Sequence, residues 1–130
     1  MKILKNEFSD GGNGGNVAHS DQDVGPFDTD AMVLITAHGA GAYVSEHTSN
    51  AGILLTISSR GKTVLSDSFE AESSQMTFNT AATMMYVLGK GKAVKARADV
   101  AYMGTHDVKD AAVQLHIIAF EVDGGLLVDV

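Results

Sequence analysis

Residues 94–100, VKARADV, alternate between apolar and charged side chains, and this pattern decides the fold class. Lys95, Arg97 and Asp99 occupy every second position, and small or apolar residues occupy the positions between them. Successive side chains of a β-strand point to opposite faces, so the pattern is that of a strand with one face buried and the other in solvent. A glycine-containing turn, residues 89–91, precedes it. The stretch therefore predicts a strand of an antiparallel sheet.

Further strand signals lie on both sides of this stretch. Residues 52–59, GILLTISS, alternate, residues 60–62 form a turn, and residues 63–69 lead back, which predicts a β-hairpin. The remaining strand signals are apolar or alternating runs at residues 31–37, 75–79, 84–88 and 111–122. No window has convincing helical periodicity. We therefore expect an all-β protein, an antiparallel jelly-roll β-sandwich over residues 31–130.

Composition changes near residue 30. Residues 7–30 hold six acidic residues, several glycines and the only proline. Because such a stretch buries too little apolar surface to offset its ordering entropy, residues 1–30 are predicted to form an extended N-terminal arm outside the jelly-roll domain. A mobile terminus is the alternative. The arm has four apolar residues spaced as anchors for a partner surface: Phe8, Val17, Val24 and Phe27.

Composition also excludes several classes of protein. The formal charge of −7 argues against a nucleic-acid binder, which needs a positive field. The absence of cysteine excludes disulfides, thiol catalysis and Cys-based zinc sites. No run approaches the roughly 18 apolar residues of a membrane helix. The stretch MKILKNEFSDGG is too poor in apolar residues for a signal peptide, so neither a membrane nor export is expected.

No catalytic or metal-binding motif is present in the sequence. A cupin-like metal enzyme would need a His-x-His pair, and the five histidines do not form one. Residues 21–25, DQDVG, lack the later ligands of an EF-hand loop. Serines occur without a Gly-x-Ser-x-Gly elbow. We expect no enzyme activity, no metal and no cofactor, with a cupin-type metal enzyme as the least favoured alternative.

Two groups of polar residues are candidate binding surfaces. The first is a basic patch, in which strand spacing puts two members on one face: Lys90, Lys92, Lys95 and Arg97. It is either a solvated face or a surface for an acidic partner, such as the arm of a neighbouring subunit. The second group lies in or next to the loops at residues 39–50 and 104–110 and could stack on and hydrogen-bond to a glycan or receptor: Tyr43, His47, Tyr102 and His106.

Apolar residues exceed what one interior can bury. In residues 111–122, Ile118, Phe120 and Val122 lie opposite an already apolar face, and residues 84–86, MMY, form an unbroken apolar run. Strands that are apolar on both sides imply burial against something other than their own sandwich. A symmetric oligomer is the simplest explanation.

The run Leu88-Gly89-Lys90-Gly91-Lys92-Ala93-Val94 resembles the Leu-x-x-Gly-Asp-x-Val turn of C1q/TNF-like trimeric jelly rolls, with Lys92 in place of the Asp. The hairpin at residues 60–61 and the long strand ending in Phe120 are similar to that family as well. The resemblance implies a homotrimer in which the strands around a threefold axis bury apolar residues between subunits.

Jelly rolls without cysteine and with an N-terminal arm resemble bacteriophage virion proteins. That resemblance implies a non-enzymatic capsid decoration or head-fibre protein that binds and stabilises a phage shell. Its partners would be its own copies and other virion proteins such as the major capsid protein, in a virion assembled in the host cytoplasm. The alternative is a tail-associated or C1q-like module that binds a glycan or receptor through its loops.

Overall fold

A computed structural model of the protein describes residues 2–43, 49–73, 77–102 and 108–122. These residues form eight β-strands. The strands are Ile3–Gly11 (β1), Val17–Val24 (β2), Ala31–Tyr43 (β3), Ser49–Ser59 (β4), Lys62–Ser73 (β5), Thr77–Leu88 (β6), Val94–Tyr102 (β7) and Val108–Glu121 (β8). Within the described ranges there is no helix with the length and hydropathy needed to cross a membrane.

The strands form two four-stranded antiparallel sheets that pack face to face. Sheet A has the order β1-β8-β3-β6, and sheet B has the order β2-β7-β4-β5. The chain passes from one sheet to the other at every connection except the β4–β5 hairpin, which is the topology of an eight-stranded jelly roll built from two Greek keys. The predicted all-β jelly-roll sandwich is confirmed.

The alternating stretch that predicted the fold lies in β7, at the centre of sheet B. Its small and apolar residues are buried, Lys95 is exposed, and Arg97 and Asp99 are half-buried on the outer side. The predicted hairpin joins β4 and β5 through Arg60 and Gly61, with φ angles of 53° and 78°. Two successive positive φ angles are those of a type I′ turn, whose twist matches that of the flanking strands.

The core lies between the two sheets, and its centre is formed by β3, β4 and β8. Branched aliphatic residues fill it because they fit the pleated surface of a strand. The largest side chains that are fully buried in it are Ile35, Ile53, Leu55, Ile57, Leu115 and Ile117.

Most of the predicted arm, residues 1–30, forms the strands β1 and β2 of the sandwich in this structure, which corrects the division at residue 30. β1 pairs with β8, and β2 pairs with β7 over its whole length. The jelly roll therefore includes both N-terminal strands. The alternation of β2 is difficult to recognise because polar residues occupy two of its four buried positions, which are Ala18, Ser20, Gln22 and Val24.

Candidate functional site

Half of the outer face of sheet A is apolar. Directly opposite residues of adjacent strands point to the same side, so the strand pairings define rows that cross all four strands. The row nearest the start of β1 is Ile3, Phe120, Met32 and Val87, and the next is Asn6, Ile118, Leu34 and Met85. We call the apolar members of these rows, together with Phe8, the apolar face.

The apolar face is exposed to solvent across the whole width of the sheet. Val87 is 66% exposed, Phe8 62%, Met85 58% and Ile3 56%. Single exposed apolar residues are common in soluble proteins, but a contiguous apolar patch marks an interaction site. The sequence-based expectation of excess apolar residues is thus confirmed for Met85, Ile118 and Phe120.

Three other apolar residues that were predicted to be in excess of the core are instead buried or half-buried in this chain. Met84 and Val122 are buried, and Tyr86 is half-buried against the core. Met84 and Tyr86 lie on the inner side of β6 because neighbours in a strand point to opposite faces, which separates them from Met85.

His116 marks the border of the apolar face. The ring of Phe8, directly opposite it on β1, stacks on the imidazole with a centroid distance of 3.9 Å and an interplanar angle of 5°. The Nε2 atom of His116 lies 2.8 Å from Oδ1 of Asn6. An amide oxygen only accepts hydrogen bonds, so Nε2 donates in this pair. These contacts fasten the outer side of β1 to β8.

Beyond His116 the outer face of sheet A becomes polar and contains a shallow depression. Its volume is about 330 Å³, and backbone and methyl groups at Gly39, Ala40 and Ala112 form part of its lining. The polar side chains around it come from four different strands: Asp10, His38, Asn79 and Gln114. Sequence reasoning did not bring them together, because they are far apart along the chain and form no motif.

The outer face of sheet B carries charged residues along β2 and β7, beside the exposed apolar residues Val17 and Leu54. Asp21 lies directly opposite Arg97, and Asp23 lies opposite Lys95, so β2 supplies acids to the basic residues of β7. Arg97 donates to the carboxylate of Asp99 from Nε at 3.0 Å and from Nη2 at 2.9 Å. This hydrogen bond raises the pKa of Arg97 against the lowering effect of burial, and the charge of Asp21 adds to the increase.

The predicted basic patch therefore lies partly within a surface of mixed charge. Lys95 and Arg97 share a face, as the sequence indicated, and Lys90 and Lys92 are exposed in the connection between β6 and β7. The acidic partner that was expected from a neighbouring subunit's arm is provided by β2 of the same chain. This finding removes the main argument for a separate acidic partner at this patch.

The four predicted arm anchors occupy different environments. Phe8 and Val17 are exposed, Val24 is fully buried, and Phe27 packs against the core. Val24 and Phe27 therefore pack within their own sandwich, and partner binding through the predicted anchors stays a prediction. Only the exposed members can bind another surface without unfolding.

The predicted loop residues lie largely outside the described part of the structure. His47 and His106 are outside it altogether, and the side chains of Tyr43 and Tyr102, which end β3 and β7, are outside it too. Among the residues that the structure does describe, no group of three His, Asp or Glu side chains could hold a metal ion.

No protein-family model and no curated protein matches the sequence. Solved structures with a similar fold include the carbohydrate-binding module TmCBM61 in complex with β-1,4-galactotriose, at 14% identity and a TM-score of 0.42. The match covers 82% of this chain and 63% of that module.

Dimeric latent PorU from Porphyromonas gingivalis is 13% identical, with a TM-score of 0.42, and the match covers 95% of this chain and 14% of PorU. Eiger TNF from S. frugiperda is 11% identical, with a TM-score of 0.41, and the match covers 90% of this chain and 96% of that one. The chain thus spans less than two thirds of the first two proteins. These similarities concern the fold alone.

Proposed function

We propose that the protein is a non-enzymatic structural protein that assembles with copies of itself through the apolar face of sheet A. The observation that carries this proposal is the pair of adjacent rows in which seven of eight residues are apolar. The outer face of sheet B carries the opposed charges of Asp21 with Arg97 and of Asp23 with Lys95, so the two outer faces are suited to different environments.

Burial of the apolar face provides the driving force for assembly. Full burial of a large apolar side chain contributes about 1.5–3 kcal/mol, so covering side chains that are roughly half exposed contributes on the order of 1 kcal/mol each. The members that are more than a third exposed are Ile3, Phe8, Leu34, Met85 and Val87. Association costs translational and rotational freedom, so several such contributions are needed together. A continuous face provides them where scattered residues would not.

We propose three copies around a threefold axis, on the resemblance of residues 88–94 to the C1q/TNF-like turn. The resemblance to bacteriophage virion proteins supports a role as a capsid decoration or head-fibre protein. In this role the protein has no cofactor, is assembled into the virion in the host cytoplasm and binds the major capsid protein. Residues 1–30 do not form a free docking arm in this proposal, because they contain β1 and β2.

The test compares two leucines at matched positions on opposite faces. Leu34, on the apolar face, is 38% exposed, and Leu54, on the outer face of sheet B between Asp99 and Ser68, is 42% exposed. Light scattering after gel filtration should give the wild type about three times 13.6 kDa at all dilutions. Leu34→Glu should reduce this mass to that of one chain, whereas Leu54→Glu should leave it unchanged.

Circular dichroism of both variants controls for folding. A folded wild type that is monomeric at high concentration would contradict the proposal, and so would equal effects of Leu34→Glu and Leu54→Glu on the native mass.

The polar depression supports a second candidate function, which is recognition of a glycan. Asp10, His38, Asn79 and Gln114 surround a lining of small residues and could hydrogen-bond to the hydroxyl groups of a sugar. On a glycan array, a sugar bound by the wild type should lose most of its signal with Gln114→Ala and His38→Ala. Thr56→Ala, on the outer face of sheet B, is the control and should bind as the wild type does. Binding that survives both substitutions in the depression would exclude this site.

A further inference from the structure

The positions of β1 on the inner side of sheet A hold polar residues, although the Glu7 side chain among them stays exposed at the edge. These positions are opposite the buried residues Val113, Leu115, Ile117 and Ala119 of β8, and they hold Gly11, Ser9, Glu7 and Lys5. Leu4, next to an irregularity in the pairing, is half-buried and packs against the core. β1 therefore adds little apolar side-chain surface to the core.

The inner side of β1 meets β2 in a layer of hydrogen bonds, which we call the polar seam: Lys5, Glu7, Ser9, Ser20 and Gln22. Ser20 Oγ donates to Ser9 Oγ at 2.6 Å, and Gln22 Nε2 lies 3.0 Å from the same oxygen. Nε2 also lies 3.3 Å from the carbonyl oxygens of Glu7 and Leu115. Lys5 Nζ pairs with the Glu7 carboxylate at 2.9 Å.

The polar seam lowers the free-energy cost of detaching β1 from the sandwich. When β1 leaves, water can replace its partners on Ser20 and Gln22, whereas an apolar seam would expose hydrocarbon. Gln22 Oε1 is buried without a hydrogen-bond partner, so hydration satisfies a group that the closed form leaves unpaired. The interactions that oppose departure are the backbone ladder to β8, the packing of Leu4 against the core, the position of Ile3 opposite Phe120, and the contacts of Phe8 and Asn6 with His116.

A glycine-rich connection, residues 12–16, joins β1 to β2. Its second half is held on β8, because the carbonyl oxygens of Gly14 and Gly15 accept from the amides of Asp110 and Ala111 at 3.3 Å and 3.0 Å. Its first half turns β1 back onto its own β8 through Gly12, whose φ is +130°. A Cβ atom on Gly12 would lie 2.6 Å from the carbonyl oxygen of Ala111. The closed connection therefore requires glycine at this position.

We propose that β1 exchanges between copies of this chain: β1 of one copy leaves its own β8 and pairs with β8 of a second copy. The second copy is the natural partner because its β8 is identical, so the hydrogen bonds and packing that β1 gives up in its own chain form again in the other. The chain's own β1 competes with β1 of another copy for the same β8, and the short linker gives it a millimolar effective concentration. Exchange is therefore favoured where the local concentration of copies is similarly high. The proposal rests on the proposed self-association and deepens it, but the contact between copies is the backbone pairing of β1 with β8 rather than packing of one apolar face on another.

The test uses single-cysteine variants, since the chain has no cysteine of its own. Asp10 and Gln114 are exposed and directly opposite each other across β1 and β8, a spacing that a disulfide can bridge. Asp10→Cys with one isotope label and Gln114→Cys with another are mixed at about 1 mM, incubated and oxidised. Mass spectrometry should find the mixed disulfide. Asp10→Cys mixed with Ser68→Cys, exposed on sheet B, measures random collisions.

Substitution of Gly12, in the connection between β1 and β2, provides a second measurement of exchange. Gly12→Ala should strain the closed connection and raise the exchanged fraction about 5- to 30-fold. Gly91→Ala, with φ +74° and open space around its Cβ, introduces similar backbone strain away from β1 and should leave the fraction unchanged.

The outcomes separate this proposal from the proposed function. The double variant Asp10→Cys/Gln114→Cys should form its disulfide within one chain, which shows that the two positions can be bridged. With that control in place, a mixed disulfide no more abundant than the Ser68→Cys background would overturn exchange. A native mass of three chains in that same sample would leave assembly through the apolar face standing. A mixed disulfide in the Leu34→Glu background would establish exchange even where that assembly is lost.

Discussion

Gly39 shows how a single residue sets the distance between the two sheets. It lies in β3 and faces inward, where a Cβ atom would come within 2.7 Å of Val100 Cγ2 and 3.0 Å of Ile53 Cγ1. Both neighbours are buried side chains of sheet B. Because protein interiors are close-packed, neither can move without disturbing the side chains around it.

Gly39→Ala should therefore destabilise the fold by overpacking, by about 1–3 kcal/mol. Gly89→Ala is the matched control, because the nearest atom to its Cβ would be 3.6 Å away and its φ is not positive. We expect the control to change the free energy of unfolding by less than about 0.5 kcal/mol. Urea denaturation followed by circular dichroism measures both values, and equal effects would contradict this account of the sheet spacing.

At the scale of the strand, the sequence predicted those strands in which buried positions are apolar and exposed positions are polar. β7 and β8 and the β4–β5 hairpin were predicted because their inward positions hold apolar side chains. β1 and β2 were missed because their inward positions hold polar residues such as Ser9, Ser20 and Gln22, which hydrogen-bond to one another across the seam. A hydropathy pattern cannot reveal a buried position that is satisfied by hydrogen bonds.

The candidate sites were predictable to different degrees for the same reason. Met85, Ile118 and Phe120 were visible as apolar residues beyond the needs of one core, although the rows that join them depend on strand pairing. The polar depression was not visible, because Asp10 and Gln114 are brought together only by pairing of β1 with β8.

The two N-terminal strands should differ in how much the fold depends on them. A chain that starts at Gly12 lacks β1 but keeps the core, and should still unfold cooperatively in urea. A chain that starts at Ala31 also lacks the buried Ala18 and Val24, uncovers one side of β7, and should lose cooperative unfolding. Burial of Val24 alone contributes about 1.5–3 kcal/mol. Equal loss of structure in both truncations would show that β1 is as important to the core as β2.

At the scale of the whole molecule, the sandwich has two unlike outer faces. The apolar face of sheet A is suited to burial, whereas sheet B has the opposed charges of Asp21 with Arg97 and of Asp23 with Lys95. Charged residues on the outer face of a sheet oppose unwanted association. An assembly that covers sheet A therefore presents sheet B to its surroundings, and sheet B determines how the assembled particle interacts with solvent and salt.

The position of β8 also determines when the protein can fold as it emerges from the ribosome. β8 is the last of the eight described strands along the chain, yet it lies between β1 and β3 and pairs with both. Asn6 meets His116 only after more than a hundred intervening residues have been synthesised. Until then β1 has no strand to pair with in sheet A, and the nascent chain must remain soluble with that sheet unclosed. The polar inner side of β1 lowers the risk of aggregation before β8 is synthesised. An unpaired strand with few apolar residues on its inner side aggregates less readily.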